Sequence, residues 1–177
     1  MALRYRIRLR CSCIGLSLML IAVAGCVDSE SQQIDAVKAR FLRQEALQED
    51  TVAFSRVKKD VTESETGEVS GVVLRGRINA GELPPWEENA AAFVLTDSTG
   101  HDGDEEHDPH TCPFCSRNIR DYLARVVFAD EQGQIINIDS RKLFGLRENQ
   151  TVAVRGTISL PESDILLVKA TDLYVTP

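Results

Sequence analysis

Of the chain's 177 residues 27 are acidic and 20 basic, a net charge of −7, and that excess of acid repels nucleic acid and anionic lipid and favours solubility. Past the first 25 residues roughly 150 remain, enough for one domain with a real core. None of their apolar runs is long enough to cross a membrane.

The first 25 residues read as a targeting segment. Arg4, Arg6, Arg8 and Arg10 make a basic start, and Ile14 to Gly25 is an apolar run of 12 residues, too short for a permanent bilayer helix. The run closes on Val23-Ala24-Gly25-Cys26, which resembles the lipobox of bacterial lipoproteins. The resemblance implies cleavage before Cys26, a diacylglyceryl group on its thiol, and a membrane-tethered protein of the cell envelope facing the periplasm or the exterior. An ordinary signal peptide or an uncleaved anchor is the alternative. All 27 acids lie beyond the segment against 16 of the 20 basic residues, so the mature chain carries −11.

From Asp28 to about Asp50 an apolar stripe at Ile34, Val37, Phe41 and Leu42 predicts an amphipathic helix. Thr51 to Gly67 reads as a linker with one short strand around Val52 to Val57, so residues 26–67 form a lipid-anchored tether ahead of a domain at 68–177. The rest reads as β. Val69 to Ile78 is a strand with Val72, Leu74 and Ile78 on one face, and with Gly71 and Gly76 at bends. Pro84-Pro85 breaks the chain, with Trp86 packing at the rim. Ala91 to Thr96, Ala124 to Phe128 and Gln134 to Ile138 are further strands, and Ser140 to Gly145 is one helical turn with Ser140 as cap. Val152, Val154, Gly156, Ile158 and Leu160 alternate with Thr151, Ala153, Arg155, Thr157 and Ser159, a half-buried strand. After the Pro161–Asp164 loop, Ile165 to Val175 returns as the last strand. This order, closing on Thr151–Ser159 and Ile165–Ala170, resembles the OB-fold. It implies an all-β fold, a five-stranded Greek-key barrel preceded by an N-terminal helix. A small β-sandwich would give a similar string.

The three histidines gather beside the two cysteines that neither the leader nor the lipid takes. The segment runs His101-Asp-Gly-Asp-Glu-Glu-His107-Asp-Pro-His110-Thr-Cys112-Pro-Phe-Cys115, a loop at 101–115 between the second and third strands. Thiolate and imidazole are the donors Zn²⁺ prefers, and C-x2-C lets two thiolates chelate one ion. The expected ligands are His107, His110, Cys112 and Cys115, with His101 as the alternate to His107. Pro109 and Pro113 stiffen the loop, and Asp102, Asp104, Glu105, Glu106 and Asp108 attract a cation. Zinc is the first expectation and copper(I) the second, since soft donors also select it.

Two other readings stay open. Cys112 and Cys115 could form a plain disulfide in an oxidising compartment, or a redox pair, since Cys-Pro-Phe-Cys is similar to the motif of glutaredoxins. The βαβ context of thioredoxin-like chemistry is missing, and so is the histidine after Cys115 that a haem attachment needs. Arg117, Arg120 and Arg125 could make a small basic patch, but Asp121 and the helical spacing from Ser116 to Leu123 suggest ordinary surface pairing. Phe128 and Phe144 suggest core, and no nucleophile elbow, phosphate loop or carboxylate pair stands out. A binding or assembly role on a protein or oligosaccharide ligand suits the chain better than enzymatic chemistry. Nucleic acid is disfavoured because such grooves need positive charge and stacking aromatics.

Overall fold

A computed structural model describes residues 29–48, 50–99 and 108–177. The proposed lipidation site Cys26 and the histidines His101 and His107 lie outside them. No helix among the described residues is long and apolar enough to cross a membrane.

Five strands close into a mixed β-barrel: β2 (Glu68–Ile78), β3 (Ala92–Asp97), β4 (Leu123–Val127), β5 (Thr151–Ser159) and β6 (Leu166–Val175), joined at one edge by the two-residue β1 (Leu42–Arg43). β2 pairs antiparallel with β3 and with β5, β3 antiparallel with β4, β4 parallel with β6, and β6 antiparallel with β5. That circuit leaves the barrel strands no long open edge. The alternation in β5 survives except at Ala153. Val152, Val154, Gly156 and Ile158 are buried and Arg155, Thr157 and Ser159 less so, with Thr157 Oγ1 3.0 Å from Ser70 Oγ, but Ala153 on the outward face is buried as well.

Two glycines let the strands approach. A Cβ on Gly156 would stand 2.3 Å from the Lys169 carbonyl oxygen, and one on Gly76 would stand 2.5 Å from that of Thr96. Gly71, at φ +79°, sits in the irregularity between Ser70 and Val72 where β2 bends.

The fold is β-rich rather than all-β, because helices cover the barrel. α1 (Ser29–Phe41) lays Ile34, Val37 and the buried Phe41 on it. Phe41 meets Phe128 edge-on at 5.2 Å between ring centroids, and Phe128 also meets Phe144 at 4.7 Å, so one aromatic cluster ties the N-terminal helix to the barrel end.

The expected linker with a strand near Val52–Val57 is instead a helix, α2 (Phe54–Glu63). Phe54, Val57 and Val61, three and four residues apart, fall on one face, and all are at most 2% exposed. Its first turn is capped from afar: Ala53 offers no side-chain cap, and the buried Asp97 accepts the Phe54 N–H at 2.8 Å. Gln134–Ile138 is likewise no strand. Only Ile135 bridges, to Ala129, while Ile136 donates to Phe128 O and accepts from Ala91 N. The helical turn stands as α3 (Ser140–Phe144), capped by Asp139, whose carboxylate accepts the Arg141 N–H at 2.8 Å, and stopped by Gly145 at φ +72°. Ser140 is buried and donates to Ala92 O at 3.1 Å.

Asp172 of β6 fastens β1. Burial alone would raise its pKa, but Thr171 Oγ1 at 2.9 Å, Arg43 Nε and Arg155 hold its carboxyl below the usual range. A depressed carboxyl stabilises the fold above its unfolded pKa of about 4, and the contribution is lost as pH falls through the folded value. Asp172→Asn should cost at most about 1 kcal/mol at pH 7. It should also shrink the fall in melting temperature between neutral pH and the low end of that window. An unchanged acid slope would show that this pair does not link β1 to stability.

Candidate functional site

The β3–β4 connection carries the cysteines outside the barrel, as the sequence suggests. Asp108 opens its second described part: its Oδ1 accepts the His110 N–H at 3.0 Å, and its carbonyl accepts those of Thr111 and Cys112 at 3.2 and 3.1 Å. This single turn delivers Cys112, whose own carbonyl accepts the Ser116 N–H at 3.0 Å. A 3-10 helix follows, Cys115–Tyr122, broken at Asn118 where φ/ψ are −126°/46°. Lys58 of α2 pins that helix, with Nζ 2.7 Å from Asp121 Oδ1 and 2.8 Å from Asp164 Oδ1. Burial would lower the pKa of Lys58, but these two carboxylates hold it above its ordinary value.

The two thiols differ sharply. Cys112 is half-buried, and Cys115 is 1% exposed. The backbone N–H groups of Cys115 and Phe114 both donate to Cys112 Sγ, and the two thiols hydrogen-bond each other, which holds Cys112 below the ordinary thiol pKa. Burial pushes Cys115 up, against the Tyr122 hydroxyl that donates to its sulfur. Tyr122 is itself pushed up to about 12, first by burial and then by its hydrogen bond to Cys115. Amide dipoles aimed at a sulfur favour the thiolate, the form that both binds metal and attacks disulfides. Phe114, between the cysteines, projects into solvent at 75% exposure.

His110 goes elsewhere. Its Nε2 lies 3.0 Å from Thr96 Oγ1, and its ring rests on Gly81. Of the residues expected from sequence, then, Cys112 and Cys115 come together while His110 docks on the barrel. Among the described residues no group of three or more His, Cys, Asp or Glu converges. The thiol pair nonetheless fits a soft metal ion by donor type and spacing.

Sequence reasoning missed Tyr122, which bonds the buried thiol, and Thr96 and Gly81, which receive the histidine. Tyr122 lies seven residues past Cys115 and belongs to no motif, and Thr96 shows in the sequence only as the end of a strand. The three arginines divide. Arg125 on β4 pairs with Glu87, Nη2 to Oε2 at 2.7 Å, while Arg117 and Arg120 line an open groove of about 460 Å³ with Asp121 and Asp164.

The geometry defines a β-barrel with a loop-borne dithiol. No protein-family model and no curated protein matches the chain.

Proposed function

We propose that this chain is an exported lipoprotein, anchored in the cell envelope through Cys26, whose OB-type barrel presents a loop that binds one metal ion, zinc in the first instance. The observation that carries the proposal is the pair of backbone N–H groups on Cys112 Sγ with the Cys115 thiol beside it. It favours one thiolate and sets a second sulfur within reach of the same ion. The sequence places a further donor near this pair, His107 with His101 as its alternate, while His110, the fourth ligand expected from sequence, is engaged by Thr96. Copper(I) would suit the same two sulfurs.

Support for the OB type comes from strand order. Counted over β2, β3, β4, β5 and β6 as first to fifth, the circuit runs first-second-third-fifth-fourth-first, with the short α3 between third and fourth. Such barrels serve many ligands. A protein or oligosaccharide suits the acid-rich chain better than nucleic acid, and the metal would brace the protruding loop in a binding or assembly role.

A second reading, thiol–disulfide exchange or copper transfer, is favoured by the exposure difference: an accessible Cys112 could attack and a sheltered Cys115 resolve.

The full chain, extracted in detergent without a metal-affinity tag, should carry close to one zinc per chain with both thiols protected until the metal is chelated. Metal-free protein holding a Cys112–Cys115 disulfide, unable to take zinc after reduction, would overturn the metal reading. A reversible dithiol couple near the potential of thioredoxin would favour exchange instead. Export is tested separately. Cys26→Ser should accumulate as an unprocessed precursor that incorporates no labelled fatty acid, and normal processing of that variant would refute the anchor.

A further inference from the structure

We infer that His110 is the clamp that seats the dithiol loop on the barrel, and that it is not one of the groups that ligate the ion. The Thr96 hydroxyl has one hydrogen and lies 2.7 Å from the Asn79 carbonyl oxygen, which can only accept. That hydrogen is therefore committed to Asn79, and the 3.0 Å contact between Thr96 Oγ1 and His110 Nε2 requires the proton on Nε2. A nitrogen that carries a proton has no lone pair for a metal.

The other ring nitrogen, Nδ1, keeps a lone pair, but the ring is packed against Gly81 and does not converge with the two thiols. A Cβ on Gly81 would stand 2.8 Å from His110 Nδ1, so the ring lies against the glycine backbone. Gly81 has φ +69°, and its N–H donates to Asn79 Oδ1 at 2.7 Å. Asn79 thus serves the seat twice: its side chain shapes the turn that offers Gly81, and its carbonyl takes the Thr96 proton. With the His110 N–H on Asp108 Oδ1, backbone and ring are both engaged before Cys112 is reached.

The clamp has a mechanical meaning. Thr96 stands near the end of β3, and His110 lies two residues before Cys112. Their hydrogen bond closes the connection at its base and fixes where the thiol pair leaves the barrel. Pre-closing the loop lowers the entropy lost when ligands gather on an ion. What the clamp serves rests on the metal-site reading; the clamp itself rests on the hydrogen-bond geometry alone.

The test is nitrogen NMR on the full chain in detergent, with ¹⁵N-histidine label and His110→Gln to assign the signals. In the metal-free chain, His110 should be the Nε2–H tautomer, and adding zinc should leave both its nitrogens unshifted. His110→Ala should weaken zinc binding by about 10- to 100-fold, the range for partners that orient ligands. The one-zinc stoichiometry and the visible spectrum of the cobalt-substituted protein should not change. His110→Gln, whose amide can donate to Thr96 but is a poor zinc ligand, should restore most of the affinity. Loss of the Nε2 proton, a zinc-induced shift of either nitrogen, or a changed cobalt spectrum in both variants would overturn the inference. A chain that takes no zinc at all would defeat the metal reading. In that case the metal-free tautomer still decides: Nε2–H upholds the clamp, and Nδ1–H or a mixture removes it.

Discussion

Val154→Asp should leave the protein unfolded, or lower its stability by at least about 4 kcal/mol, whereas Thr157→Asp three residues on should cost less than about 1 kcal/mol. Val154 is fully buried and stands opposite Leu74 on β2 and Leu173 on β6, both also fully buried. A carboxylate there has no cation to meet, so it must either protonate or open the barrel. Thr157 faces the other way, and only its hydroxyl contact with Ser70 is at stake. Urea titrations of the two variants measure the difference. Equal losses would mean that β5 presents its faces the other way round.

Cys115→Ser should lower zinc affinity by more than about 100-fold, beyond the range for partners that merely orient ligands, while the barrel stays folded. Its thiol is buried, yet the site tolerates a hydroxyl because Tyr122 can still donate to it. Cys115 is buried but lies outside the contiguous apolar core, so replacing its sulfur with oxygen should cost only about 1 kcal/mol. Far-ultraviolet circular dichroism and a zinc competition assay separate the two effects. A variant that unfolds would place Cys115 in the core's service, and one that keeps its zinc would remove it from the ligand set.

The sequence was most legible where one strand's own pattern decides its faces. Apart from Ala153, β5 buries alternate residues, and shifting its register by one would expose Val152, Val154 and Ile158 together. Alternation was also real at Ile136 and Ile138, which are 7% and 8% exposed. There it did not make a strand, because the backbone bonds singly to Phe128 and Ala91 and has no continuous partner. α2 was hidden for a different reason. Its apolar face is only Phe54, Val57 and Val61 among charged neighbours, and its cap, Asp97, comes from the end of β3.

The candidate site divides along the same line. C-x2-C is a local instruction: the amides that reach Cys112 Sγ belong to Phe114 and Cys115 themselves. The place of His110 is not local. It depends on a hydroxyl at the end of β3 and on a glycine turn after β2, and nothing in the spacing of His110 from Cys112 announces either.

X-ray absorption at the zinc edge of the full chain, as isolated, tests the metal proposal most directly. Two sulfur neighbours should appear at about 2.3 Å, with the remaining shell nitrogen or oxygen at about 2.0–2.2 Å. Both sulfurs should vanish in the Cys112→Ser, Cys115→Ser double variant. A metal shell without sulfur, or a chain that holds no metal and keeps Cys112 and Cys115 as a disulfide, would contradict it.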